Sequence, residues 1–269
     1  MANILWSDTV TTLGRHHADT VVVGGSHGGV YAGYLAAKAH VKAIILHDAG
    51  VGKDNAGIGA LSYLEKIGMP AATINYQTAR IADGQDQLNR GFISHINHPA
   101  FLLGCRAGQS TLVCAKLMIS ATSWEGAIPE FGESRFLLRK AKNPNMPMVW
   151  GIDSTSLLRS KDENCIIVTA SHGALFGNTD NRVVNKKPLA MVFNDAGIGI
   201  DQWGVSRLKH LDRQGIIAVT VGCNSARIGD SRSAWKTGII SCANTEAANA
   251  GIKIGETLEN LADKLASTI

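Results

Sequence analysis

The stretch VVVGGSHG at 21–28 returns as IIVTASHG at 166–173, an offset of 145. Further along, DAGVGKD at 48–54 returns as DAGIGID at 195–201, now at an offset of 147. The same offset aligns TARIAD at 78–83 with SARIGD at 225–230, and GFISHIN at 91–97 with GIISCAN at 238–244. Residues 43–108 and 190–255 share 23 identities in 66 ungapped columns. Chance does not hold one register that long, so the chain is an internal duplication. The repeats are expected over 4–118 and 149–265. The connector, 119–148, holds three of the six prolines, Pro129, Pro144 and Pro147, and a short basic helix is expected around 134–142.

Within each repeat, short apolar and partly β-branched runs end in glycine, as in DTVVVGG and KAIILHDAG. That pattern reads as strands. Between them AGIGALSYLEKIG spaces Ile58, Leu61 and Leu64 at helical intervals and stops at Gly68. Strands alternating with helices predict an α/β fold with parallel pairing. The expected architecture is two βαβαβ units, each followed by a helix, packed as a pseudo-twofold pair.

The copies diverge on helix surfaces and agree at strand ends, the edge where open parallel sheets bind ligands. The segment Gly24-Gly25-Ser26-His27-Gly28 satisfies G-x-S-x-G, which makes Ser26 a candidate nucleophile on a strand-to-helix turn. The same segment reads equally as a glycine turn whose amides cap a helix or bind an anion. The chain departs from the α/β-hydrolase order, because only 25 residues precede Ser26.

Of nine histidines, only His27 and His172 stand in both copies. Asp48 and Asp195 end the neighbouring strand, placed to orient those imidazoles as base and orienter. A strand ending in His-Gly before a small-residue turn resembles caspase-like cysteine peptidases. Ala49-Gly50 and Ala196-Gly197 stand where those carry Ala-Cys, so that peptidase chemistry is not supported. Asp54 and Asp201 precede helices and read as N-caps. Arg80 and Arg227 are candidate anchors for a carboxylate or phosphate, with Asp83 and Asp230 alternatively pairing them.

The candidate catalytic set is therefore Ser26, His27, Asp48, His172 and Asp195. The candidate substrate-binding set is Gly28, Gly50, Arg80, Ser225, Arg227 and Asp230. The reaction expected is hydrolysis of a small, anionic amide or ester without a cofactor. Two alternatives stand beside it: a divalent metal held by the His/Asp set for hydrolase or lyase chemistry, and a non-catalytic binder of anionic metabolites. Complementary decay of the copies, with Gly25 and Gly29 against Ala170 and Ala174, suggests one composite site drawn from both halves.

Composition bounds the rest. The chain of 269 residues carries 26 Lys plus Arg against 22 Asp plus Glu, a formal charge of +4. Both signs are dispersed and no basic run reaches five, so no nucleic-acid partner is expected. No signal peptide or membrane span is read from the sequence, and five scattered cysteines fit a reducing cytoplasm. The expected partner is a small-molecule substrate, with a homo-oligomer left open. Glycine, 29 of 269 and so about 11% against a usual ~7%, marks many tight strand-end turns.

Overall fold

The computed structural model describes residues 3–124, 126–141, 143, 146–176 and 187–267. The chain forms two compact units. Unit 1 comprises Met1–Val51, Asn55–Gly132 and Ile198–Trp203; unit 2 comprises Gly52–Asp54, Glu133–Gly197 and Gly204–Ile269.

Unit 1 is built on the apolar runs. In chain order it has β1 (Ile4–Ser7), β2 (Val21–His27), α1 (Val30–Lys38), β3 (Ala43–His47), α2 (Gly59–Glu65) and β4 (Ala71–Ile74). Then follow α3 (Gly84–Arg90), β5 (Ile93–Ile96), α4 (His98–Leu102) and α5 (Thr111–Met118). The sheet order is β1-β2-β3-β4-β5, parallel except for β5. Alternation along the strands makes two cores. Val22, Ile44 and Leu46 pack with Ala36, Leu61 and Leu64 of α1 and α2 on one face. Val21, Val23, Ile45 and Ile74 pack with Cys114 and Met118 of α5 on the other.

Unit 2 repeats the plan with an added edge strand. It contains β6 (Arg135–Arg139), β7 (Val149–Ile152), β8 (Ile166–His172), β9 (Ala190–Asn194), α6 (Arg207–Asp212) and β10 (Ile217–Val221). After these come α7 (Ser231–Thr237), β11 (Ile240–Ala243), α8 (Thr245–Asn249) and α9 (Leu258–Ser267). The order is β11-β10-β9-β8-β7-β6, with β11 and β6 antiparallel to their neighbours. Two mostly parallel sheets of five and six strands establish the α/β class and match the duplicated pair.

Three expectations change. The basic helix expected at 134–142 is strand β6, because Arg135 turns inward to Asp162 (Nη2–Oδ1 2.5 Å) and Phe136 faces Gly151 in the β7 pairing; Lys142 and Pro144 lie outside the described residues. The connector is divided rather than free: Trp124 and Ile128 pack on the core of unit 1, with Trp124 Nε1 donating to Val41 O at 3.0 Å. The short strands β1 and β5, with their counterparts β7 and β11, extend the sheets beyond a βαβαβ reading.

Candidate functional site

The strand-end motifs fold as the duplication predicts, with the same hydrogen bonds in both copies, and those bonds assign roles. Between the pairs Val23–Ile45 and His27–His47, β2 spends four residue steps against two on β3. The resulting bulge holds Ser26 and ends at His27, and β8 repeats it between Val168–Val192 and His172–Asn194. Bulges re-aim side chains and are common beside active sites.

Ser26 does not sit on a nucleophile elbow. It lies inside β2, outside the left-handed region, and its Oγ accepts the backbone N–H of Val10 at 3.0 Å. Ser171 Oγ accepts that of Thr155 at 3.2 Å. Each serine thus satisfies the first N–H of a 3₁₀ turn, at Val10–Thr12 or Thr155–Leu157.

The expected His–Asp pair does not form either. His27 Nδ1 accepts the N–H of Gly29 at 3.1 Å, and His172 Nδ1 that of Ala174 at 3.3 Å. Asp48 Oδ1 accepts from Gly50 N at 3.1 Å and Tyr76 N at 3.0 Å. Asp195 Oδ1 accepts from Gly197 N and Cys223 N, both at 2.9 Å. Each aspartate ties its own loop to the end of the next strand. Burial, reinforced by neighbouring His47, holds His27 down at about 4. It is therefore neutral at pH 7, and with Nδ1 accepting, the ring proton is on Nε2. His27 Nε2–H and Asp48 Oδ2 have no hydrogen-bond partner among the described residues.

The DAG loop is strained. Ala49, Gly50, Val51 and Gly52 all have positive φ, at 50°, 75°, 60° and 68°. Ala196, Gly197, Ile198 and Gly199 repeat this at 51°, 77°, 63° and 72°. A left-handed non-glycine residue costs about 1–2 kcal/mol, and a β-branched one is a marked outlier. Gly50 suits the turn, whereas Val51 and Ile198 do not. Asp54 and Asp201, at 54° and 58°, are left-handed as well and cap nothing. Gly28 is required sterically, since a Cβ there would lie 2.6 Å from Gly57 O.

Both candidate anchor arginines are engaged by carboxylates. Arg80 Nε meets Asp201 Oδ2 at 2.8 Å, and its guanidinium lies 4.5 Å from the Trp203 ring. Arg90 Nη2 shares that Asp201 oxygen at 2.8 Å. Arg227 pairs with Asp230 at 2.8 Å and with Asp54 at 3.3 Å. Asp230 also N-caps α7 through Ser233 N, as Asp83 caps α3 through Asp86 N. Ser225 Oγ donates to Gly222 O at 2.8 Å and accepts from Ile239 N at 2.9 Å, a turn lock rather than a ligand contact. Among the described residues no three His, Cys, Asp or Glu side chains gather to hold a metal ion.

Sequence reasoning missed His47, because the copies differ there. Its Nδ1 accepts from Ala49 N and its Nε2 lies 3.1 Å from Ala79 O. Asn194 does the same work with Oδ1 to Ala196 N at 2.9 Å and Nδ2 to Ala226 O at 3.1 Å. An asparagine can replace only the neutral, Nε2-protonated histidine, and burial lowers the His47 pKa accordingly. No protein-family model, curated protein or solved structure matches the chain.

Proposed function

We propose that the chain hydrolyses a small amide or ester at the carboxyl edge of β2 and β3 in unit 1. The observation that carries this reading is the pair of unpartnered polar atoms on adjacent strand ends, His27 Nε2–H and Asp48 Oδ2, beside a backbone strained identically in both copies. Strain of this kind persists where function holds it. The roles differ from those the motif suggested. His27, neutral with its proton on Nε2, polarises the scissile carbonyl as a donor rather than accepting a proton. Asp48, its Oδ1 pinned by two amides, presents Oδ2 as the general base for a water. Ser26 supports the bulge. Five free thiols accord with a reducing cytoplasmic setting, and no helix among the described residues is long and apolar enough to cross a membrane.

The test is hydrolysis of a panel of 4-nitrophenyl esters and 4-nitroanilides. Asp48→Asn keeps the Oδ1 acceptor and His27→Asn keeps an acceptor for Gly29 N–H, so both preserve the loops. Each should lower kcat by about 10²–10⁴-fold, while Ser26→Ala stays within a few-fold. Full activity in Asp48→Asn, or abolished activity in a folded Ser26→Ala, overturns the assignment.

A further inference from the structure

Arg207 opens α6 in unit 2 and is 2% exposed. No carboxylate among the described residues meets it. Its Nη2 donates to Ala174 O at 2.8 Å, and the guanidinium carbon lies 5.0 Å from the Phe193 ring centroid and 5.5 Å from that of Phe176. Nε is buried without a partner. Of the five N–H donors a guanidinium carries, the described residues engage one. Burial lowers its pKa to about 10, which leaves it protonated at neutral pH.

The first copy shows what this position is like without a charge. Arg207 N donates to Gly173 O at 2.9 Å as Ala60 N donates to Gly28 O at 2.8 Å, so Arg207 and Ala60 are equivalent. In unit 1 helix α1 covers Ala60, whose Cβ lies 3.1 Å from where a Cβ on Gly33 would stand. The first copy sets an apolar alanine at this position; the second sets a cation there against two aromatic rings. A buried cation with no counter-charge is costly and is not retained for stability.

We infer that Arg207 anchors a binding site for a small oxyanion, a carboxylate or a phosphate, in unit 2, with Phe176 and Phe193 as its apolar walls. The guanidinium fork supplies paired donors that match either anion. The aromatic faces stabilise the cation while they exclude water. This site is separate from the His27–Asp48 chemistry and does not depend on it.

Thermal unfolding at constant ionic strength tests it, with sodium phosphate and sodium acetate as separate arms and sodium chloride as the control. In wild type one arm raises Tm above the chloride control, and which arm does so distinguishes phosphate from carboxylate. At 100 times Kd the folded-to-unfolded ratio rises about 100-fold. Arg207→Met, apolar as Ala60 is, should unfold without anion at the wild-type temperature or above it, and should lose the anion response. Arg207→Lys keeps the charge without the fork and should retain only a weakened response. Wild type indifferent to both anions, an undiminished response in Arg207→Met, or an Arg207→Met that unfolds at lower temperature without anion would each overturn the proposal.

Discussion

Acidification should destabilise unit 1 through His27. The imidazole has an unfolded pKa near 6.5 and a folded value of about 4. Between those values the unfolded chain binds the proton and the folded one does not. Stability is therefore complete above pH 6.5 and is lost as pH falls towards 4. At 1.36 kcal/mol per pH unit that interval corresponds to about 3.4 kcal/mol. His27→Asn removes the titration while its Oδ1 can still accept the Gly29 N–H, as Asn194 accepts the Ala196 N–H. Urea unfolding followed by fluorescence at pH 7, 6, 5 and 4 would measure the difference, with Trp6 and Trp124 reporting unit 1. The wild-type curve should fall about 3 kcal/mol further than that of His27→Asn, while His47, also lowered by burial, leaves a residual slope in both. Parallel curves from pH 7 to 4, or a His27 Cε1–H resonance titrating near 6.5, would refute the buried, neutral imidazole.

Other substitutions probe the same loops. Asp48→Ala strands the N–H groups of Gly50 and Tyr76 and should cost about 2–4 kcal/mol in urea unfolding, whereas Asp48→Asn should cost under about 1 kcal/mol. Val51→Gly relieves about 1–2 kcal/mol of left-handed strain against a glycine entropy cost of about 0.5–1 kcal/mol, so thermal unfolding should show a net gain of about 0.5–1 kcal/mol. His47→Asn installs the residue of the second copy and should cost about 1 kcal/mol at pH 7 for lost volume, whereas His47→Leu, which leaves Ala49 N and Ala79 O unpartnered, should cost about 3 kcal/mol or more by the same measurement.

The α/β class was legible because strand periodicity and the duplication carry long-range order in short-range pattern. The outer strands were not. Segments of four or five residues such as ISHI at β5 and RFLLR at β6 are strands because a sheet edge offers them backbone partners, and nothing local announces that. The strand-end motifs fold into matching loops in both copies, but their atoms make other bonds than the motifs suggested. G-x-S-x-G reads as an elbow only if the serine ends a strand, and here Ser26 lies in a bulge and the strand runs on to His27. Asp48 looked like a partner for an imidazole, yet its Oδ1 is taken by two backbone amides, Gly50 N in its own tight turn and Tyr76 N beyond the end of the neighbouring strand.

A duplicated chain also supplies its own substitution experiment, and its informative columns are those where the copies disagree. Identity between copies singled out His27 and Asp48, but identity alone cannot separate a turn residue from a reacting one. The His47–Asn194 column can, because a residue replaceable by asparagine with both bonds kept is working as a fixed donor and acceptor and never as a proton carrier. The Ala60–Arg207 column runs the other way. A buried alanine and a buried arginine cannot do the same job, since one is neutral packing and the other a charge that wants an anion. One of these differences preserves the fold and the other goes beyond it, and only the second has chemistry to account for.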